Sequence, residues 1–175
     1  TWVMCFMATI TYGATIVPIL ADFNPHDAMH IINHSGASLL FVNQSIWETY
    51  EFERMPGLKA AISLETRHVL AERTAGGEAP VERVVRNLSR RFRSVYKSGF
   101  NPEDVKYPKV DKDATAIINY TSGTTGFSKG VMLTFDNVCG NVMFGVQSRL
   151  HYEGSRALSF LPLAHAYGCA FDMLV

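Results

Sequence analysis

The sequence predicts an α/β fold, a mainly parallel sheet covered by helices, and three observations carry that prediction. Short apolar runs suited to buried strands alternate with segments that carry helix signals. Those signals are bounded by capping residues, Pro and Gly, so the elements follow one another closely. A Gly-, Ser- and Thr-rich string directly follows one apolar run, where an open parallel sheet places its ligand loop, beyond a strand's carboxyl end.

Taken in order, residues 1–21 contain no charged residue, a stretch long enough to raise the question of a membrane span. Four threonines, Gly13 and Pro18 argue instead for a buried helix that ends near Gly13 and feeds a core strand over residues 15–19. Asn24-Pro25 supplies the cap and first-turn proline of a second helix, and Gly36 ends it. A strand is predicted over 38–42, a helix over 44–54 stopped by Pro56-Gly57, and a strand over 60–64. Further strands are predicted over 114–120 and 157–161. Between these two, residues 131–133 form a short apolar run, and Thr134 with Asp136 begins a helix reaching about Leu150.

At 175 residues and 47% hydrophobic content the chain can bury a substantial core, and one domain is the expected count. Sixteen basic residues balance sixteen acidic ones, which gives no general argument for a nucleic-acid partner or an anionic surface. The balance conceals a bias: residues 51–100 hold ten basic against six acidic side chains, whereas residues 1–50 hold three acids and no Lys or Arg. Cys5, Cys139 and Cys169 lie in apolar runs without CxxC spacing, so structural thiols in a reducing compartment fit better than disulfides or zinc. The chain starts at Thr1 without a basic n-region, so no signal peptide is expected, and a domain cut at both ends is.

Residues 81–98 carry the cleanest helical periodicity. Val81, Val84, Val85, Leu88, Phe92, Val95 and Tyr96 share one face, while Arg83, Arg86, Arg90, Arg93 and Lys97 fall elsewhere. Packing against a core with a solvated basic face is the expected use; contact with an anionic membrane is the alternative. His26, His30 and His34 recur every fourth residue, and without a second ligand cluster they read as solvent-facing histidines rather than a metal comb. Met4, Phe6, Met7, Met143 and Phe144 read as core filling.

The chemistry is concentrated in residues 120–131, YTSGTTGFSKGV. Gly123, Gly126 and Gly130 let the backbone approach an anion, so that successive N–H groups can point at phosphate oxygens. Ser122, Thr124 and Thr125 add hydroxyl donors, and Lys129 adds a mobile point charge. A Walker A loop is excluded, because Ser128 precedes the lysine and Gly130 follows it.

This string resembles the phosphate-binding signature of the adenylate-forming (ANL) superfamily, which includes acyl-CoA synthetases, peptide-synthetase adenylation domains and firefly luciferase. Residues 161–168, LPLAHAYG, are similar to the segment that brings a histidine to the acyl side of the site in acyl-CoA synthetases, and His165 fills that place. Residues 15–42 resemble the family's helix–strand lead into an Asn-Pro-capped helix. The family usually has a proline where this chain has Ser128, and often a histidine where it has Phe135. The resemblance spans nearly the whole chain, least over residues 65–110.

The resemblance implies a three-layer α/β/α sandwich with a mainly parallel, Rossmann-like sheet, one partial AMP-binding domain over residues 1–175. It implies a long-chain fatty-acid–CoA ligase that uses ATP, Mg²⁺ and coenzyme A, is cytoplasmic or peripheral at a membrane, and has no nucleic-acid partner. Thr121, Ser122, Gly123, Thr124, Thr125 and Gly126 would cradle the β- and γ-phosphates, with Lys129 adding charge. Thr121 or Thr124 would meet Mg²⁺, and His165 would stand near the carboxylate and acyl chain. The family's adenine-binding segment, ribose-binding Asp and C-terminal catalytic lysine do not occur in these residues, so the chain alone is expected to be inactive. An adenylation domain or fatty acyl-AMP ligase without CoA transfer, and a non-enzymatic nucleotide-binding module, are the alternatives.

Overall fold

The computed structural model describes residues 1–74, 80–121, 129–148, 152–156 and 158–174. They gather into two compact units, Thr1–Ala8 with Pro25–Pro108 and Thr9–Asn24 with Lys109–Val175. The charge-free N-terminus forms helix α1 (Trp2–Tyr12), and α2 (Pro25–Ser35) comes next. Both end in the same way. Gly13 and Gly36 take φ of 84° and 68°, and the amides of Ala14 and Ala37 reach back to Thr9 and Ile32. That is the Schellman closure, which needs a left-handed residue and so selects glycine. The buried helix expected at the N-terminus is corrected: in α1 only Phe6 is buried, stacked on Trp2, while Met4 is 72% exposed. Freedom from charge does not define a buried face.

In the first unit α2 buries Ala28, Met29, Ile31 and Ile32. Strand β1 (Leu39–Val42) pairs in parallel with β2 (Ala60–Ser63), whose other edge pairs antiparallel with β3 (Val69–Glu72). The central β2 is buried at all four positions. Its Ser63 hydroxyl accepts the amides of Glu65 and Thr66, so the buried oxygen is satisfied as the chain turns toward β3. The single helix expected over 44–54 is instead α3 (Gln44–Trp47) followed by a 3₁₀ turn, Phe52–Arg54. The Thr49 hydroxyl donates to the Ile46 carbonyl, and Trp47 packs edge-on against Tyr50 and Phe52, so the ring contacts fold the chain back.

Arg73, just past β3, holds that turn. Its guanidinium lies 3.7 Å from the Phe52 ring centroid and donates to the carbonyls of Phe52, Met55 and Leu58 and to Glu53. We expect Arg73→Ala to cost about 2–3 kcal/mol in urea unfolding, because charged hydrogen bonds to three carbonyls and a cation–π contact disappear together. Arg73→Lys should recover less than half, since an ammonium lacks the planar fork. A cost for the alanine variant near that of an ordinary surface change would contradict this.

Helix α4 (Val81–Val95) forms where periodicity predicts it and contacts β3, with the Glu82 amide donating to the Glu72 carboxylate at 3.0 Å. No residue of α4 is buried, and Val84, Leu88, Phe92 and Val95 are 43–64% exposed. The core-packed reading is therefore corrected: periodicity selects a face but does not say what covers it.

In the second unit β4 (Thr115–Thr121) pairs antiparallel with β5 (Lys129–Thr134). The strand expected over 15–19 shrinks to one parallel bridge, Ile16 to Ile117. Ile16 donates to Ala116 and accepts from Ile118, each at 2.9 Å. The next donor in that ladder would be residue 18, and Pro18 has no N–H. Thr134 then caps α5 (Phe135–Gln147): its hydroxyl accepts the Asn137 amide, and the Asn137 side chain accepts the Thr134 amide. Met143 and Phe144 are exposed rather than core filling. Residues 158–160, expected in a strand, form no ladder among the described residues; the Ser159 hydroxyl donates to Asp172 at 2.7 Å, within the π-helical segment Gly168–Met173.

The α/β class stands. The parallel character is seen in part: β1–β2 and the Ile16 bridge are parallel, whereas β2–β3 and β4–β5 are antiparallel.

Candidate phosphate-binding site

The pairing of β4 with β5 fixes the base of the glycine-rich string. Ala116 and Ile118 turn backbone groups toward Ile16, so the alternate residues of β4 turn theirs toward β5. Thr121 and Lys129, directly opposite in the register, therefore form a hydrogen-bonded pair with Cα atoms about 5.5 Å apart. Their main-chain groups are spent on the ladder, and their side chains leave it on one face. Both residues are exposed, and among the described residues no carboxylate pairs with Lys129. A hydroxyl and an uncommitted ammonium thus stand side by side where the string begins and ends.

The neighbouring pair, Tyr120 with Gly130, belongs to the narrow class of opposing residues, about 4.5 Å between Cα atoms. Tyr120 is 8% exposed and its ring lies over the glycine: a Cβ on Gly130 would come 3.1 Å from Tyr120 Cζ and 3.0 Å from Ile118 Cγ2. Burial raises the Tyr120 phenol above its ordinary pKa. From the sequence Gly130 is expected to let the backbone approach an anion; its packing under Tyr120 depends on the register.

Ser122, Gly123, Thr124, Thr125 and Gly126 lie outside the described residues. On the C-terminal side of the string, residues 129–134 are a strand, and α5 begins only at Phe135, so no helix N-terminus is attached directly to the string. A strand–loop–helix phosphate site draws on the helix dipole. Among the described residues at the two ends of the string, Lys129 is the one that could supply positive charge.

His165 belongs to the same unit and is exposed. Its Nδ1 accepts the Tyr167 amide at 3.3 Å, its own amide donates to Pro162 at 2.8 Å, and its carbonyl accepts from Cys169 at 2.9 Å. With Nδ1 accepting, the neutral ring carries its hydrogen on Nε2. Gly168 lets the turn close, since a Cβ there would meet the Pro162 carbonyl oxygen at 3.0 Å. Cys169 behind it is buried, and burial pushes its thiol up to about 11. Among the described residues no hydrogen bond joins His165 to Thr121 or Lys129.

Among the described residues no group of three or more His, Cys, Asp or Glu is arranged to hold a metal. This includes His26, His30 and His34, although the His30 and His34 rings stand 5.6 Å apart. A Mg²⁺ held mainly by phosphates and water needs few protein ligands, and the exposed Thr121 hydroxyl suits that limited role.

A family model described as AMP-binding enzyme matches residues 1–175. The chain belongs to the AMP-binding enzyme family. Its relatives include long-chain-fatty-acid–CoA ligase 6 of Homo sapiens, 29% identical over 176 residues that cover 95% of the chain and 24% of the relative. The long-chain-fatty-acid–CoA ligase of Salmonella typhimurium is 28% identical over 183 residues, covering 93% and 31%. Among solved structures, a long-chain-fatty-acid–CoA ligase (FadD1) from Archaeoglobus fulgidus superposes with a TM-score of 0.67 at 25% identity, covering 99% of this chain and 30% of that one. ATP-bound MatB from Rhodopseudomonas palustris reaches the same TM-score at 19% identity, covering 98% and 30%, and shares the fold. The chain thus spans about a quarter to a third of the length of these relatives.

Proposed function

We propose that the protein carrying this chain activates a fatty acid as its acyl-adenylate and transfers the acyl group to coenzyme A. The observation that carries the proposal is the Thr121–Lys129 pair, set side by side at the two ends of a Gly/Ser/Thr string in a chain of this family. In the first step a carboxylate oxygen attacks the α-phosphorus of ATP, and the bond to the bridging oxygen breaks to release pyrophosphate. The CoA sulfur then attacks the acyl carbon, and AMP leaves.

Lys129 balances the charge that grows on the departing pyrophosphate, which is where a fixed cation lowers the barrier most. Thr121 donates its hydroxyl to a phosphate oxygen or turns its lone pair to Mg²⁺. The residues from Ser122 to Gly126 offer hydroxyl and amide donors to the β- and γ-phosphates. Bound Mg²⁺ supplies further neutralisation of the phosphates. A cytoplasmic enzyme with peripheral membrane contact fits an acyl substrate of low water solubility.

His165 presents Nε2–H to the carboxylate end of the acyl group. His165→Ala in the full-length protein should slow ATP–pyrophosphate exchange about tenfold, the loss of one hydrogen bond to a charged group. Because Nδ1 also accepts the Tyr167 amide, the control is His165→Asn, which keeps an acceptor at that place. Exchange at the normal rate in both variants would rule the role out.

The whole reading is tested by supplying the full-length protein with ATP, Mg²⁺ and long-chain fatty acids, with and without CoA. Acyl-CoA is the expected product. Acyl-AMP that accumulates and ignores CoA would instead mark an adenylation domain or acyl-AMP ligase, and nucleotide binding without turnover a binding module. The 175 residues alone should make no acyl-AMP, and detectable synthesis by them would overturn that part of the proposal.

A further inference from the structure

The turn between β2 and β3 and the first two turns of α4 flank a cleft of about 420 Å³ in the first unit. Thr66, Arg67, His68 and Val69 form one wall. Glu82, Val85 and Arg86, at helical spacing on one face of α4, form the other. The walls are tied together, because the Glu72 carboxylate at the end of β3 accepts the Glu82 amide at 3.0 Å. The turn is fixed as well: the Arg67 amide donates to the Ser63 carbonyl at 2.9 Å, and the Ser63 amide to the His68 carbonyl at 2.8 Å. Among the described residues no part of the Gly/Ser/Thr string lines this cleft.

Arg67 stands at φ 62°, alone among the described residues other than glycine in the left-handed region. That region suits Gly, Asn or Asp, so an arginine there carries backbone strain that glycine would remove. Strain of this kind collects where a side chain is used. The Arg67 and Arg86 guanidiniums line the same cleft from opposite walls, and neither is in an ion pair among the described residues. Glu82, the acid of the lining, pairs with neither of them. The Thr66 hydroxyl accepts the His68 amide at 3.4 Å and keeps its own hydrogen to donate. Two guanidinium forks and a hydroxyl match the oxygens of a phosphate. A phosphate alone would fill little of the space, and the half-buried Val69 and Val85 offer an apolar floor beside it.

We propose that this cleft binds a small phosphomonoester whose ester group is apolar or aromatic, with the phosphate between Arg67 and Arg86 and the ester group on Val69 and Val85. The inference stands on the cleft alone and does not depend on the ligase reading.

The test is calorimetric titration of the full-length protein with phenyl phosphate, inorganic phosphate and sulfate, in a Lys129→Ala background that silences the string. Phenyl phosphate is expected to bind at least about tenfold more tightly than inorganic phosphate, because its ring covers the apolar floor. Arg67→Gln and Arg86→Gln should each weaken it at least about tenfold, the loss of charged hydrogen bonds to the phosphate. Arg67→Gly should weaken it as much without lowering the melting temperature, since glycine takes φ 62° freely. That combination separates use of the side chain from support of the turn. Absence of phenyl phosphate binding overturns the proposal, as it would if other parts of the protein fill the cleft. Equal affinity for all three probes overturns it too, because it would show attraction to charge without a site. Displacement of phenyl phosphate by saturating ATP or CoA would put the probe in the proposed ligase site and overturn the proposal as well. Failure of the wild type to make acyl-CoA would count against the ligase reading and leave these titrations as they are.

Discussion

Lys129→Ala in the full-length protein is expected to slow acyl-adenylate formation about 100-fold, the scale set by removing one preorganised donor from a developing anion. The melting temperature should stay within about 2 °C of the wild type, because the side chain is exposed and has no described ion partner. A helix-led phosphate site would share the anion among a dipole and several groups. Here the string runs into a strand, and the proposed site therefore relies on the ammonium. Lys129→Arg should restore part of the rate, since charge matters more than shape at a phosphate. Thr121→Val should cost less than Lys129→Ala, and Thr121→Ser little. The measurement is ATP–pyrophosphate exchange with a saturating fatty acid; a Lys129→Ala rate within about threefold of wild type would remove the residue from the site.

Gly130→Val is expected to destabilise the protein by about 2 kcal/mol and to reduce the same exchange reaction, through packing rather than chemistry. An added Cβ would already sit 3.0 Å from Ile118 Cγ2 and 3.1 Å from the Tyr120 ring, so the buried ring must shift and the ladder beside Lys129 must shift with it. Gly130→Ala should cost about half as much. The cause can be isolated with a double-mutant cycle in which Tyr120→Leu removes the ring from above the glycine. In that background the alanine substitution should cost much less. Equal costs in both backgrounds would mean that Tyr120 is not what excludes a side chain at 130.

Much of the fold was legible because punctuation is local. Asn24-Pro25 and Gly36 bound α2 with residues whose dihedral preferences need no tertiary partner, and Thr134 caps α5 in the same way. What depended on a partner was harder to read. Pro18 is visible in the sequence, but its effect appears only when the ladder on β4 reaches the missing amide. Strand β3 has few of the β-branched and aromatic residues that signal a strand, and it is held by pairing with β2. Strand β5 begins with Lys129-Gly130, residues that read as continuing loop. The candidate site divides in the same manner: its residue types were evident, whereas the opposition of Thr121 and Lys129 came from register. The amphipathic pattern of α4 was plain, and its exposure was not.

The clamp at the base of the string bears on Ser128. Closing a flexible segment costs entropy that grows only slowly with its length, and the larger part is incurred in bringing its ends together. The Thr121–Lys129 pair already holds the ends, reinforced one step further in by Tyr120 over Gly130. A proline at position 128 would stiffen a segment whose endpoints are fixed without it. Closure of the hairpin therefore makes little demand on which residue stands at position 128.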